Sequence, residues 1–211
     1  MYLATIGFIV GAVLFAGYAY SIRSYTVSGG ISRFYPWAYY TLALTFLLWG
    51  IATANGNQHF LNISILLGNA LILIGSALLL EVVTHKKGIV LWGVVIAIVI
   101  FIARLMFFSP APYMQGGILI FNTNIIVSLV YAMLFFCIWL PANLSVGKAI
   151  GSLGKSPEFT QLLRGLFGLS TIAAVFMPIA RTPIMVVVAF VTLAVCYSVL
   201  IAVNVLLRDN K

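Results

Sequence analysis

Charged side chains, and acidic ones above all, are scarce in this chain. Of its 211 residues, 11 are Lys or Arg and only 3 are Asp or Glu, whereas 64% are hydrophobic. A soluble domain of this length could not hide so much apolar surface, because too much of its area must face water. A lipid bilayer removes that difficulty. The shortage of charge therefore predicts an integral membrane protein.

Residues that carry catalysis or hold metal ions are also few. The two histidines, His59 and His85, are expected on opposite sides of the membrane, and Cys137 and Cys196 lie within apolar runs. The sequence has no cluster with metal-ligand spacing, no glycine-rich phosphate loop after a strand, and no serine nucleophile with a base within reach. We therefore expect no enzymatic activity, no metal and no cofactor.

What the chain has instead is a series of long apolar runs. A helix needs about 20 mostly apolar residues to cross the hydrocarbon core of a bilayer. Seven runs meet this requirement: residues 3–21, 36–53, 60–83, 89–108, 118–140, 162–180 and 183–207. The expected fold class is all-α, a bundle of seven transmembrane helices forming a single domain over residues 1–211. The longest connection, residues 141–161, is expected to hold no more than a short interfacial helix and a turn.

The positive charges occur in every second connection, or gap, between the apolar runs. Nine of the eleven Lys and Arg residues lie in the first, third and fifth gaps or in the tail, and the second and fourth gaps hold none. Because loops rich in Lys and Arg stay in the cytoplasm, we expect the N-terminus outside and the C-terminus inside a cytoplasmic (inner or plasma) membrane. The charges form no stripe, so the net charge of +8 indicates anionic lipid headgroups and not nucleic acid. Lys148, Lys155 and Arg164 mark the inner surface expected to meet such lipid or a partner protein.

Two arginines break this alternation. Arg104 and Arg181 are expected near the outer ends of the fourth and sixth helices, where the chain has no Asp or Glu to pair with them. One interpretation is that both extend to the headgroup phosphates. The other is that they face the interior and bind an anionic ligand from the outer side, because guanidinium groups suit carboxylates and phosphates. The residues expected at similar depth to complete such a ligand site are His59, Asn62, Asn122 and Asn124.

Polar and small residues repeat along the third helix. Asn62, Asn69 and Ser76 are spaced by sevens, which keeps them on one face, and Gly68 and Gly75 lie beside them. Small residues on such a face let a neighbouring helix approach closely. We expect Gly68, Asn69, Gly75 and Ser76 to form a helix-packing face. The alternative is that the same face forms one wall of a polar cavity.

The second and third helices carry a further pattern. Trp37-Ala38-Tyr39-Tyr40 opens the second helix after a basic loop, the third helix contains the run from Leu66 to Gly75, and Lys86-Lys87 follows it. This pattern resembles the multi-helix, seven-transmembrane sensor regions that precede diguanylate cyclase and histidine kinase domains in bacteria. No output domain follows the helices within this sequence. The resemblance therefore implies a sensing or scaffolding module that signals through a separate partner.

These features together predict a non-enzymatic membrane receptor or sensor-like module. It would bind a small anionic or lipidic ligand from the outer side and couple to a cytoplasmic or membrane protein partner. Polar residues lie more in the outer halves of the helices, which favours a receptor over a transporter. Two alternatives remain open, namely a small oligomeric transporter or channel and a structural subunit of a larger membrane complex. A homo-oligomer is compatible with each.

Overall fold

A computed structural model describes residues 2–27, 31–107, 111–122, 124–151 and 156–209. In chain order its helices are α1 (Tyr2–Val27), α2 (Phe34–Asn55), α3 (Gln58–Thr84), α4 (Ile89–Phe107), α5 (Ile125–Leu134), α6 (Leu140–Gly151), α7 (Pro157–Ile179) and α8 (Pro183–Asp209). The short strands β1 (Tyr113–Gln115) and β2 (Ile118–Ile120) pair antiparallel between α4 and α5. A π-helical segment, Phe135–Trp139, joins α5 to α6. These two helices therefore form one continuous rod.

The helices, with α5 and α6 taken as one rod, have the length and surface of membrane-spanning helices. Six of them in the described part of the chain are long and apolar enough to cross a membrane, and a seventh, Ile89–Arg104, is apolar but shorter. Large apolar side chains cover the outside, and Leu91, Trp92 and Ile184 are 69%, 69% and 76% exposed. Such a surface is stable against lipid rather than water. The chain is a multi-pass, all-α membrane bundle, and the predicted fold class is confirmed.

The two ends of the bundle differ in charge. One end, called the hairpin face below, carries the β1–β2 hairpin, the α2–α3 turn at Gly56 and the junction of α7 with α8. The other end, called the basic face, carries the exposed Arg33, Lys86, Lys87 and Lys148. The side of the membrane on which each face lies stays a prediction, with the hairpin face expected outside.

The rod that contains α5 begins later than the sequence predicts. The run over residues 118–140 predicts a helix, but Ile118–Ile120 forms strand β2. Gly116 and Gly117 have φ angles of 58° and 78°, which allow the tight turn that pairs β2 with β1. Asn124 then caps α5, since its side chain accepts a hydrogen bond from a first-turn N–H at 2.9 Å. A short apolar run has too few residues for its periodicity to separate strand from helix.

The same rod also continues past Pro141, where the sequence predicts a connection. Proline has no N–H for the carbonyl four residues earlier and usually kinks or ends a helix. Here the preceding turn widens into the π segment Phe135–Trp139, closed by a hydrogen bond from the Leu140 N–H to the Phe135 carbonyl. Local π adjustments of this kind let membrane helices hold a proline. Asn143 is thereby carried into the bundle instead of a loop.

Glycines set the closest helix contacts. α2 packs along α1 and α3, α7 packs along α6 and α8, and α4 packs mainly on α3 in the described contacts. A Cβ at Gly68 would overlap the Trp49 indole, and one at Gly75 would overlap α2 in the same way. Gly93 lies against Ala77 and brings α4 onto α3. Small residues let membrane helices approach to this distance.

Candidate functional site

A cavity of about 60 Å³ lies within the bundle. Its wall is mostly aromatic and aliphatic, with polar groups from Trp49, Asn69, Tyr131, Trp139, Asn143, Ser170, Thr171 and Tyr197. An apolar cavity with a few convergent polar groups is the usual form of a small-ligand site. A water molecule needs roughly 10–15 Å³ by the same measure. The cavity therefore has space for several waters or for one small group of a ligand.

Aromatic rings close the cavity toward the hairpin face. Phe121, which follows β2, packs on Trp49 with ring centroids 4.8 Å apart, and Phe8 packs edge-on against both rings. The Trp49 indole N–H donates to a backbone carbonyl of α3 at 3.2 Å, which fixes that ring. The hairpin is tied to α1 by a hydrogen bond from the Ala4 N–H to the Gly117 carbonyl at 3.0 Å. A ligand arriving from this face would have to displace these contacts.

A hydrogen-bonded network closes the cavity toward the basic face. The Asn143 side-chain carbonyl accepts from the hydroxyls of Tyr35 at 2.8 Å and Tyr39 at 2.7 Å. The Asn143 amide donates to Thr171 Oγ1 at 3.2 Å, and the Tyr197 hydroxyl donates to that of Tyr39 at 3.2 Å. These five side chains, called the Asn143 network, are all buried. Because satisfied buried networks are rigid, we expect this one to lock α2, α6, α7 and α8 together.

Three buried side chains, two of them in the cavity wall, have polar atoms without partners. Asn69 Nδ2 and the Tyr131 hydroxyl, both in the cavity wall, make no hydrogen bond, and neither do Nε and Nη1 of Arg104. The Arg104 guanidinium lies close enough to Tyr131 to interact electrostatically, but the two do not reach hydrogen-bond geometry. Leaving a buried polar group unpaired costs about 1–3 kcal/mol, and more for a charged one. A ligand with complementary atoms would gain most at Asn69, Arg104 and Tyr131, called the unpaired group below.

Arg104 is buried because it lies on the packing stripe of α4. Gly93, Ala97 and Arg104 are spaced by four and seven residues, so that they share one face of the helix. Ala97 is 1% exposed and Arg104 is 5% exposed, whereas Trp92 on another face is 69% exposed. The small residues of the stripe bring this face against α3. Most of the Arg104 side chain is therefore packed against the protein.

Arg181 and Asn122, also predicted for the ligand site, meet at the hairpin face. Arg181 Nη1 donates to Asn122 Oδ1 at 3.5 Å, and Asn122 Nδ2 donates to the Ala111 carbonyl at 3.2 Å. Asn122 has a φ of 43°, a left-handed conformation that asparagine adopts more readily than most residues. Both side chains are exposed. The two arginines predicted for one site therefore have different surroundings.

The remaining predicted ligand residues make local contacts at the same face. Asn124 caps α5, Asn62 accepts a hydrogen bond from Gln58 Nε2 at 3.2 Å, and His59 is exposed in the first turn of α3. Gln58 also donates to the Pro112 carbonyl at 2.8 Å, which holds the segment before β1 against α3. These contacts stabilise the hairpin face, and a ligand role for its side chains stays a prediction.

The small and polar face of α3 is divided between packing and the cavity. Gly68 and Gly75 lie against side chains of α2. Ser76 accepts the Trp139 indole N–H at 2.8 Å and so ties α3 to the π segment. Of the four residues predicted for this face, Asn69 is the one in the cavity wall.

The basic surface predicted to meet lipid or a partner is described in part. Lys148 lies in α6 and Arg164 in the N-terminal third of α7, and both are exposed. Lys155 lies outside the described residues. The role of this surface stays a prediction.

Sequence reasoning did not find the Asn143 network, because Pro141 indicates the end of a helix and places Asn143 in a connection. A usable signal is nevertheless present. Tyr35 and Tyr39 are four residues apart and share a helix face within an apolar run. Because a buried tyrosine hydroxyl usually has a hydrogen-bond partner, two of them on one face require a polar group on a neighbouring helix.

No protein-family model, curated protein or solved structure matches this chain. The features that indicate a function are therefore the cavity and its polar groups.

Proposed function

We propose that this protein is a non-enzymatic receptor or sensor-like membrane module that takes a small ligand into the cavity within its bundle. The observation that carries the proposal is the cavity, with the unpaired polar atoms of Asn69 and Tyr131 in its wall. Buried polar groups in proteins are nearly always paired, so unpaired atoms beside a cavity are typical of a ligand site. The resemblance of the second and third helices to bacterial sensor regions supports the same class.

The Asn143 network favours a receptor over a channel. It lies on the basic side of the cavity and links four helices through hydrogen bonds of 2.7 to 3.2 Å. A channel needs a continuous hydrated path across the membrane, and paired side chains fill that position here. Ligand exchange would then take place through the hairpin face, which the charge pattern predicts to be outside.

The π segment offers a route from the cavity to the basic face. Phe135 and Trp139 both line the cavity, and their rings stack with centroids 5.3 Å apart. Asn143 lies one turn further along the same rod, and Lys148 is exposed near its end. Single π turns are frequent at functional sites in helices. A ligand that displaces either ring would shift α6, together with the helices that the Asn143 network joins to it, and change the surface that a partner meets.

A structural subunit of a larger membrane complex is the second candidate, and α4 is the observation that favours it. This helix packs mainly on α3 in the described contacts. Leu91, Trp92 and Val99 are 69%, 69% and 60% exposed. A helix with one principal neighbour suits contact with another membrane protein as well as with lipid. In that case the chain would unfold readily when produced alone.

Filling the cavity tests the receptor proposal. Ala174→Phe adds a ring to the cavity wall, and Ala202→Phe adds the same ring to the exposed surface of α8. Each protein is transferred from its native membrane into lipid nanodiscs, and the small molecules that it retains are identified by native mass spectrometry. We expect Ala174→Phe to retain at least about tenfold less ligand than the wild type, which corresponds to about 1.4 kcal/mol. Ala202→Phe should retain as much as the wild type.

Two results would count against the proposal. One is a folded Ala174→Phe variant that retains the same small molecule as the wild type. The other is a wild-type protein that carries no small molecule out of its native membrane. Rapid unfolding of the lone wild-type chain would instead favour the complex subunit.

A further inference from the structure

Arg104 is a buried positive charge that the chain itself does not neutralise. It is 5% exposed, and its Nε and Nη1 atoms have no hydrogen-bond partner. The three acidic residues of the sequence are Glu81, Glu158 and Asp209, in the last turn of α3, the first turn of α7 and the end of α8. All three positions belong to the basic face, whereas Arg104 lies in the last turn of α4, toward the hairpin face. None of the acidic residues of this sequence is therefore placed to pair with Arg104, and a bound anion would supply the counter-charge.

The chemistry of the surrounding atoms indicates what that molecule carries. An arginine does not lose its proton in proteins, so its burial cannot be relieved by neutralisation. The Tyr131 hydroxyl beside it and Asn69 Nδ2 in the same cavity wall as Tyr131 are also unpaired. Each of these groups can donate a hydrogen bond. These unpaired donors, one of which carries a fixed positive charge, are complementary to an anion with several oxygen atoms.

We propose that the unpaired group binds a carboxylate or phosphate group. Arg104 would hold the anion through the planar fork of its guanidinium, which matches the oxygens of both anions. Tyr131 and Asn69 would donate the remaining hydrogen bonds. The proposal rests on the proposed function, because Tyr131 and Asn69 line the same cavity and Arg104 lies beside Tyr131. The anion has two possible sources, the headgroup of an acidic lipid and a small soluble anion.

Thermal unfolding of the full chain, followed by tryptophan fluorescence in phosphatidylcholine vesicles, separates these sources. One arm adds inorganic phosphate to the buffer and is compared with sodium chloride of equal ionic strength, so that screening at the basic face is the same. The other arm mixes phosphatidic acid into the vesicles. The test variant is Arg104→Gln. Arg33→Gln is its matched control, because it removes an exposed arginine of the basic face that does not line the cavity.

We expect the unfolding midpoint of the wild type and of Arg33→Gln to rise with the concentration of the bound anion, as mass action requires. Arg104→Gln should show no such rise. In the vesicles without added anion it should unfold at the same temperature as the wild type or higher, because it no longer buries an uncompensated charge. If Arg104 only stabilises the fold, Arg104→Gln should instead unfold at a lower temperature than the wild type.

Each outcome decides for or against the proposal. A rise in the phosphate arm alone supports a soluble anion, and a rise in the phosphatidic acid arm alone supports a lipid headgroup. No rise in either arm, an equal rise in Arg104→Gln, or a lower midpoint of Arg104→Gln without anion overturns the proposal. Tyr131→Phe removes one hydroxyl and keeps the ring, so its response to anion should weaken several-fold even where Arg104→Gln does not fold.

The cavity variant separates this proposal from the proposed function. Loss of retained ligand in Ala174→Phe but not in Arg104→Gln would mean that the cavity binds a ligand without Arg104. The anion proposal then fails and the receptor proposal stands.

Discussion

Replacing Asn143 by leucine is expected to lower the free energy of unfolding by about 2–6 kcal/mol. Leucine is similar in size, but it cannot accept hydrogen bonds from Tyr35 and Tyr39 or donate one to Thr171. All of these side chains are buried. The helix positions need not move, so the loss isolates the polar contacts that join α6 to α2 and α7.

The magnitude follows from what each partner loses. The Tyr39 hydroxyl, which is 0% exposed, loses the acceptor of its proton at 2.7 Å, although it still accepts a hydrogen bond from Tyr197 at 3.2 Å. The Tyr35 hydroxyl can turn to that of Tyr39 at 3.3 Å, and Thr171 keeps its bond to the Phe167 carbonyl at 2.9 Å. One buried hydroxyl proton without an acceptor costs about 1–3 kcal/mol, and the other two lost bonds cost about 0.5–1.5 kcal/mol each. Their sum gives the expected range.

Equilibrium unfolding in mixed lipid–detergent micelles, followed by the fluorescence of the four tryptophans, measures this change. Ser145→Ala is the matched control, because Ser145 is exposed on the same helix two residues away. Its effect should stay within about 0.5 kcal/mol.

Two outcomes would refute the reasoning. A loss below about 1 kcal/mol for Asn143→Leu would mean that water or other groups satisfy the tyrosine hydroxyls. An equal loss in Ser145→Ala would mean that the loss does not arise from the polar contacts of Asn143.

Two further predictions concern helix packing and the basic face. Gly68→Ala should destabilise the protein by about 1–3 kcal/mol in thermal unfolding, because its Cβ would overlap Trp49. Gly165→Ala, whose added Cβ has nothing within 4 Å, should be neutral or stabilise α7 by up to about 1 kcal/mol; equal effects at the two positions would rule out the close contact. Replacing Lys148 and Arg164 by glutamine should lower the phosphatidylglycerol retained in native mass spectrometry about fivefold for each residue, since a basic residue near a membrane surface contributes about 1 kcal/mol. Unchanged retention would show that this surface does not bind anionic lipid.

The bundle could be predicted from the sequence because a bilayer sets the length and polarity of whatever crosses it. The sequence predictions are wrong at two places, where hydropathy or a proline favours one structure and the local backbone geometry favours another. Ile118–Ile120 is apolar enough to extend a helix, but Gly116 and Gly117 turn it into a strand. Pro141 should end a helix, but the π segment before it lets the rod continue. Both outcomes depend on backbone geometry that hydropathy does not report.

The candidate site was predictable in part. The shortage of acidic residues singles out Arg104 in the sequence, and its spacing from Gly93 and Ala97 is a readable sign that it faces α3. The association of Tyr131 with Arg104 depends on how α4 and α5 are placed in space. Spacing within one helix carries no information on that placement. The same limit applies to Asn143, whose partners come from three other helices.

The distribution of paired and unpaired groups indicates how the bundle would respond to a ligand. On the basic side the Asn143 network is paired, and the unpaired Oδ1 of Asn204 lies apart from it at the contact of α8 with α1. On the hairpin side the unpaired group would gain hydrogen bonds from the proposed anionic ligand. Paired networks resist rearrangement, so binding would reorganise the hairpin half while α2, α6, α7 and α8 move as a unit at the basic end. The π segment lies between the two halves and lines the cavity. It is therefore the element through which a change at the cavity would reach the basic face.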